Sequence, residues 1–286
     1  MPRLIWPPEP PIPLPPARTV QVPGRGELFV RDTGGDGPPV LLLHGWLVTA
    51  DLNWWGAYGD LTGAGYRVLA LDHRGHGRGL RAMEPFRLSD CARDAAALLT
   101  ELGVAPALVV GYSMGGAIAQ LLAREHPEVV AGLVLSGTAQ HWQDKRSQRS
   151  FRGLGALGLA LSLGPRFTYR LGFRRAGIKD SAESVWLLGE LMRHSSRDIV
   201  EAGRELGRFD SRPWLRELRM PTAVVLTTHD ELVSPRKQRD LAQAAQATVF
   251  EVALSHLELS WRGRDYNPAL LQALSAVRPP AAEQAA

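Results

Sequence analysis

Short apolar runs alternate with longer amphipathic segments along most of this chain. Five runs have the uninterrupted apolar character of strands buried on both faces, and a shorter sixth follows; they span residues 40–45, 66–72, 107–112, 130–137, 222–230 and 248–253. Two further extended runs, 19–22 and 27–32, flank the glycine-containing turn "PGRG" and predict a hairpin.

Helical patterns lie between the apolar runs. The clearest covers residues 88–103, where seven apolar residues share one helical face and Gly103 can end the helix. Further helices are predicted over 114–125, 235–245 and 268–277. Because buried strands alternate with amphipathic helices, we expect an α/β fold in which a mostly parallel twisted sheet carries helices on both faces.

Residues 139–212 interrupt this alternation and divide the chain. They contain no convincing strand, but they hold a glycine- and leucine-rich stretch and several helical patterns. We therefore predict a helical cap or lid at 139–212, inserted into a core made of 18–138 and 213–286. Residues 1–17 are rich in proline, which favours an extended arm that is disordered or lies on the surface. A docking segment for a partner is the alternative for this arm.

Composition narrows the class of protein. Hydrophobic residues make up 45% and charged residues 22%, which is typical of a soluble globular protein with a full core. The single cysteine, Cys91, falls on the apolar face of the 88–103 helix and is expected to be structural. Without a disulfide, a signal-peptide pattern or an apolar run of about 20 residues, the expected location is the cytoplasm.

The charge pattern and motifs exclude further classes. A formal charge of +4 does not suggest a nucleic-acid binder. No cluster has the spacing of metal ligands, and "GYSMGG" lacks the lysine of a phosphate loop. We therefore expect neither a metal nor another cofactor.

The candidate chemistry begins at Ser113, directly between a predicted strand and a predicted helix. A serine there must adopt strained backbone angles to expose its hydroxyl, so its neighbours two before and two after must be small. Gly111 and Gly115 meet that need, which gives the pattern G-x-S-x-G. The turn also directs the N-terminus of the following helix at a nearby oxyanion.

Activating a serine requires a base and an acid that orients it. Among eight histidines, only His256 lies in a loop after the last strand. Asp230 ends the preceding strand, and Glu231 beside it should point away. All three residues follow strands of the predicted sheet, where sites of open α/β sheets form.

These motifs resemble those of α/β-hydrolase-fold proteins in the lipase, esterase and haloperoxidase-like group. The resemblance covers residues 19–277 and rests on "LLLHGW", "ALDHRGHGRG", "GYSMGG", "DELVSP" and "LSHLEL". It implies a triad of Ser113, Asp230 and His256, with an oxyanion hole formed by the backbone N–H groups of Trp46 and Met114. It also implies structural roles for His44, Gly45 and Asp72. The bulky Trp46 would narrow the acyl pocket.

The predicted reaction is hydrolysis of a small-molecule carboxylic ester through an acyl-enzyme, as in carboxylesterases and lipases. Because residue 113 is serine, the aspartate chemistry of epoxide hydrolases and haloalkane dehalogenases is disfavoured. Thioesterase, lactonase, peptidase, carbon–carbon hydrolase and haloperoxidase-like perhydrolase chemistry stay open. A non-catalytic ligand receptor on the same fold is the alternative from another class.

The cap carries the positive excess of the chain. Residues 139–212 hold 14 basic and 8 acidic residues, a net of +6, while the rest of the chain has a net of −2. We expect the cap leucines to pack on the core while the arginines face water. A lid that contacts a lipid surface, or recognition of an acidic substrate, are the alternatives. The oligomeric state has no signal in the sequence.

Overall fold

The computed structural model of this protein describes residues 9–279 and has one eight-stranded sheet at its centre. The strands are β1 Ala17–Val22, β2 Gly26–Asp32, β3 Pro39–Leu43, β4 Arg67–Leu71, β5 Ala107–Tyr112, β6 Val130–Ser136, β7 Thr222–Thr227 and β8 Thr248–Val252. The sheet order is β1-β2-β4-β3-β5-β6-β7-β8; β1 and β2 form an antiparallel hairpin, β2 is antiparallel to β4, and all other neighbours are parallel. The predicted α/β class with a mostly parallel sheet is confirmed.

Eleven α-helices accompany the strands within the described residues. Six belong to the α/β core: α1 Ala50–Trp54, α2 Tyr58–Gly63, α3 Leu88–Glu101, α4 Met114–Glu125, α10 Pro235–Ala244 and α11 Gly263–Val277. Five follow one another between β6 and β7: α5 Lys145–Phe151, α6 Leu154–Leu163, α7 Pro165–Arg175, α8 Ala182–Leu191 and α9 Ser196–Arg208. These five helices occupy the segment predicted as a cap.

The predicted start of the last helix was wrong. Helix α11 begins at Gly263, five residues before Pro268, which lies inside the helix. Proline favours the first turn because its missing N–H would be unpaired there anyway, so it suggested a helix start. Here the early turns are held by tertiary contacts, since Asn267 donates from Nδ2 to the Gly56 carbonyl at 2.7 Å.

Strand β3 shows how the sheet builds a core on both faces. Leu41 and Leu43 belong to an apolar cluster with residues of α3 and α4, whereas Val40 and Leu42 belong to a second cluster with residues of α11. Successive side chains of a strand point to opposite faces of the sheet, so an uninterrupted apolar run contributes to the core on both faces. Cys91 lies fully buried in the first cluster, as predicted.

The proline-rich arm is described only from residue 9; residues 1–8 of the prediction lie outside the described part. The Pro15 carbonyl accepts a hydrogen bond from Arg31 at 2.8 Å, and the Pro16 carbonyl accepts one from the Asp32 backbone at 3.0 Å. Leu14 packs beside two apolar clusters. The end of the arm is therefore held on the core rather than free.

Helices α8 and α9 attach the cap to the loop after β4. The guanidinium of Arg78 binds both carboxylate oxygens of Glu190 at 2.6 and 2.7 Å, and it also contacts Asp51 at 3.3 Å. The Gly77 backbone donates to Nδ1 of His194 at 3.0 Å. This half of the cap therefore rests on a buried polar contact with the core.

We predict that Glu190→Gln lowers the free energy of unfolding by about 1–3 kcal/mol, because Arg78 loses a bidentate charged partner in a largely buried setting. Urea unfolding followed by circular dichroism measures this change. The control is Glu205→Gln, also in the cap, whose partner Arg208 has a 76% exposed side chain. The surface pair should change stability by less than about 1 kcal/mol. Equal effects of the two substitutions would contradict the proposed role of the Arg78 contact.

Candidate active site

Ser113 occupies a sharp turn between β5 and α4. Its backbone angles are φ 52° and ψ −116°, a region that non-glycine residues rarely adopt. A Cβ on Gly115 would overlap the carbonyl oxygen of Leu43, and one on Gly111 would overlap the Gly115 carbonyl. The two glycines therefore permit the close approach predicted from the G-x-S-x-G pattern.

The structure brings Ser113, His256 and Asp230 together. Nε2 of His256 lies 3.0 Å from Oγ of Ser113, and Nδ1 lies 2.7 Å from Oδ2 of Asp230. The three residues are almost fully buried, with 8%, 7% and 4% of their surfaces exposed. Residues 143 positions apart thus meet at the carboxyl edge of the sheet, because β5, β7 and β8 run parallel.

A dense set of donors surrounds the buried carboxylate of Asp230. Oδ1 accepts hydrogen bonds from the backbone of Leu232 at 2.9 Å and of Val233 at 2.7 Å. Oδ2 accepts from the Thr227 hydroxyl at 2.9 Å and from the Gln238 amide at 3.3 Å, in addition to His256. These donors replace water around both carboxylate oxygens and fix the carboxylate beside the imidazole.

The predicted oxyanion donors lie on either side of the nucleophile. Met114 follows Ser113 at the start of α4, where N–H groups have no partner within the helix. On the other side, a Cβ on Gly45 would stand 3.4 Å from Cβ of Ser113, so the Gly45–Trp46 peptide is close to the nucleophile. Within residues 9–279, neither the Met114 nor the Trp46 backbone N–H has a hydrogen-bond acceptor.

His44 fixes the orientation of that peptide. Its Nδ1 donates to the Gly45 carbonyl at 2.8 Å, and its Nε2 accepts from the His73 backbone at 3.0 Å. Because a trans peptide directs its carbonyl and N–H in opposite directions, the Trp46 N–H points away from the His44 ring. Asn53 holds the same loop by accepting from the Gly45 N–H at 2.9 Å.

The indole of Trp46 is directed to the cap. Its Nε1 donates to the Ile199 carbonyl in α9 at 2.8 Å, and its ring meets Phe151 edge-on at 6.2 Å. A Cβ on Gly203 would stand 2.8 Å from Cζ2 of Trp46, so the indole needs this glycine. The bulk of Trp46 therefore fills the junction between core and cap.

Asp72 connects two segments of the chain near the site through its two carboxylate oxygens. Its Oδ1 accepts from the Ala50 backbone at 2.7 Å, and its Oδ2 accepts from the Arg78 backbone at 2.8 Å. Complete burial raises the pKa of this carboxyl to about 6. Asp72 thus links the start of α1, which follows the loop of Trp46, to the loop that carries the Arg78 contact with the cap.

Four histidines form a buried cluster beside Asp72. Ring centroids are 4.3 Å apart for His44 and His73, 5.4 Å for His44 and His76, and 5.4 Å for His76 and His194. Removal from water lowers the pKa of each, to about 3 for His73 and about 4 for His194. The cluster is therefore neutral at pH 7. Within the described residues no group of three or more His, Cys, Asp or Glu side chains could hold a metal ion.

Several supporting residues escaped the sequence analysis. Thr138 donates to the Ser113 carbonyl at 2.7 Å, and the hydroxyl of Tyr112 donates to the His256 carbonyl at 2.8 Å. Thr227 and Gln238 bind Asp230, as described above. Thr227 stands three residues before Asp230 at the end of a strand, and this spacing could have predicted its contact with the carboxylate. The other contacts join residues whose spacing in the sequence predicts nothing.

Comparison with known proteins identifies the relatives of this chain. Residues 38–158 match the family model described as the alpha/beta hydrolase fold. The chain is 30% identical over 268 residues to a non-heme chloroperoxidase of Streptomyces lividans, covering 85% of this chain and 94% of the relative. It is 28% identical to 3-oxoadipate enol-lactonase 2 of Acinetobacter baylyi, covering 72% and 77%. The solved structure of an esterase from Exiguobacterium antarcticum superimposes with a TM-score of 0.78 at 19% identity, covering 91% and 100%.

We predict that the free energy of unfolding falls as pH decreases from about 6.5 to about 4. Over this range the unfolded chain protonates histidines that the folded chain keeps neutral, so protons favour unfolding. The raised pKa of Asp72 acts in the opposite direction, but one carboxyl opposes four histidines. His194→Gln keeps an acceptor for the Gly77 N–H and removes one titrating group. Its stability loss between pH 7 and pH 5, measured by urea unfolding, should be smaller by roughly 1–2 kcal/mol. An unchanged loss would contradict the assignment.

Proposed function

This chain belongs to the α/β-hydrolase fold family, and from that premise we propose that it is a serine hydrolase that cleaves a carboxylic ester. The observation that carries the proposal is the continuous chain of contacts from Ser113 through His256 to Asp230, at 3.0 and 2.7 Å. Both distances lie within the range that proton transfer requires.

In the proposed acylation step, Oγ of Ser113 attacks the ester carbonyl while Nε2 of His256 takes its proton. Asp230 holds the Nδ1–H tautomer and stabilises the imidazolium that forms. The N–H groups of Trp46 and Met114 bind the developing oxyanion, a contact typically worth a factor of about 10²–10³ in turnover per donor. His256 then returns the proton to the leaving alcohol.

Deacylation in this scheme reverses the roles of the same groups. Water enters after the alcohol leaves, His256 removes its proton, and the hydroxide attacks the acyl carbonyl. The oxyanion again forms beside Met114 and Trp46. When it collapses, the bond between the acyl carbon and Oγ of Ser113 breaks, His256 returns the proton to Oγ, and the carboxylic acid is released. The low exposure of Ser113 and His256 supports a reaction shielded from bulk water, where the charge of Asp230 acts strongly.

We predict that Ser113→Ala abolishes hydrolysis of 4-nitrophenyl acetate and labelling by a fluorophosphonate probe. Asp230→Asn should lower kcat by about 10⁴-fold, because the amide stabilises the wrong imidazole tautomer. Steady-state kinetics on the purified proteins measure both effects.

The matched control is Glu231→Gln, an exposed carboxylate one residue from Asp230. It should leave kcat within a factor of about two, because within residues 9–279 Glu231 forms no hydrogen bond or ion pair with His256. Wild-type protein that neither turns over acyl esters nor reacts with the probe would favour a ligand receptor instead.

Perhydrolysis is the second candidate, and the match to a protein named non-heme chloroperoxidase favours it. The proposed acyl-enzyme would accept hydrogen peroxide in place of water, which releases a peracid and regenerates Ser113. Both reactions require the same serine. Assays with acetate esters, thioesters, lactones and acetate plus peroxide, each against Ser113→Ala, separate the two chemistries by rate.

A further inference from the structure

The outer part of the cap has an unusual charge distribution. Between residues 145 and 179 the chain has nine basic residues and no acidic one. All nine are exposed, and within residues 9–279 the side chains of eight have no ion-pair or hydrogen-bond partner: Lys145, Arg149, Arg152, Arg166, Arg170, Arg174, Arg175 and Lys179. Arginines elsewhere, such as Arg74, Arg78 and Arg193, pair with carboxylates. Helices α5–α7 therefore present an uncompensated cationic surface.

Large apolar side chains project from the same segment. Leu159 is 62% exposed, Leu163 is 80% exposed and Phe167 is 73% exposed. Leu163 and Phe167 flank the turn at Gly164, which joins α6 to α7. The expectation that the cap leucines would pack away from water therefore fails at this turn.

Helices α6 and α7 have inner faces that account for their packing. Leu154 and Leu161 of α6 are buried, and Gly158 faces Val200 of α9 at close range. Tyr169 and Phe173 of α7 pack against an apolar cluster that contains Trp186 and Leu191 of α8. Since these contacts already hold both helices, the exposed leucines and Phe167 are not needed to fold the cap.

We propose that helices α6 and α7 bind the surface of an anionic lipid bilayer. Leu159, Leu163 and Phe167 would enter the headgroup region, while Arg166, Arg170 and Arg174 pair with lipid phosphates. A helix that carries both bulky apolar residues and cations binds a membrane surface in two ways. Its apolar side chains are buried among the lipids, and each cation is attracted by an anionic leaflet. None of the helices within residues 9–279 is both long and apolar enough to cross a membrane.

The charge and the exposed apolar side chains of this surface disfavour a second copy of the chain or a nucleic acid as its partner. A symmetric dimer through α6–α7 would place the same patch against itself, which brings like charges together without any carboxylate to compensate them. A nucleic acid would satisfy the arginines but offers no apolar phase for three adjacent exposed side chains. An anionic bilayer satisfies both parts of the surface.

Co-sedimentation of the full chain with lipid vesicles tests the proposal. We expect binding to vesicles of phosphatidylcholine with 30% phosphatidylglycerol, and at least tenfold weaker binding to pure phosphatidylcholine. The triple variant Arg166→Gln, Arg170→Gln, Arg174→Gln should weaken partitioning by about a hundredfold, since each arginine contributes about one kcal/mol near an anionic surface. The variant Leu159→Ser, Leu163→Ser, Phe167→Ser should weaken it by at least tenfold. Salt at about 1 M should abolish the preference for anionic lipid.

Two control variants keep the test specific. Arg87→Gln, Arg219→Gln, Arg264→Gln removes the same charge from exposed sites outside the cap, and Met83→Ser removes an 87% exposed apolar side chain elsewhere. Both should bind vesicles like wild type, and circular dichroism should show that all variants are folded. Because sedimentation does not depend on turnover, the result is independent of the proposed esterase activity.

Three outcomes would overturn the proposal. One is equal binding to neutral and anionic vesicles, or no binding to either. Another is a dimer in sedimentation velocity that the Leu159, Leu163 and Phe167 substitutions convert to a monomer. The third is tighter binding to duplex DNA than to anionic vesicles, lost in the arginine variant but kept in the serine variant.

Discussion

The close approach of helix α4 to strand β3 is the constraint on which the rest of the site depends. Only glycine at 115 lets the helix start against the Leu43 carbonyl, and only that start directs the Ser113 hydroxyl out of the sheet. Such backbone strain costs about 1–3 kcal/mol and persists when its surroundings hold it. Strand β5 is buried along its whole length, and Thr138 binds the Ser113 carbonyl, so the surroundings supply that restraint.

Buried polar groups at this edge of the sheet are arranged to keep net charge low. His44 and its three neighbours are neutral, so they hold loops through hydrogen bonds and packing without adding charge. The charge of Asp230 is surrounded by fixed donors and lies against His256. In a poorly screened interior, this arrangement lets one carboxylate stabilise an imidazolium strongly. The histidine cluster makes the same region sensitive to acid.

The sequence predicted the parts of the fold that follow from local periodicity. Each of the eight strands was predicted close to its observed position, and the bounds of α4 were predicted as observed. Buried parallel strands appear in the sequence as apolar runs, and the glycines on either side of Ser113 mark the start of a helix. Prediction was weaker where tertiary contacts decide. Pro268 was taken for a helix start, and the short helices α1 and α2 carry no strong period. Gln238 and Tyr112 support the candidate site through contacts that no spacing in the chain reveals.

The cap consists of two parts with different physical character, and Trp46 lies where they meet. Helices α8 and α9 bind the core through charged and polar contacts, whereas α6 and α7 expose cations and apolar side chains. A Cβ on Gly203 of α9 would stand 2.8 Å from both Leu154 of α6 and the Trp46 ring, and the Trp46 backbone is a proposed oxyanion donor. Because protein interiors are close-packed, little free space remains at Gly203. A displacement of Leu154 toward this glycine would therefore push on the Trp46 ring. If α6–α7 bind a bilayer surface as proposed, the neighbours of Gly203 would link that surface to the Gly45–Trp46 peptide beside Ser113.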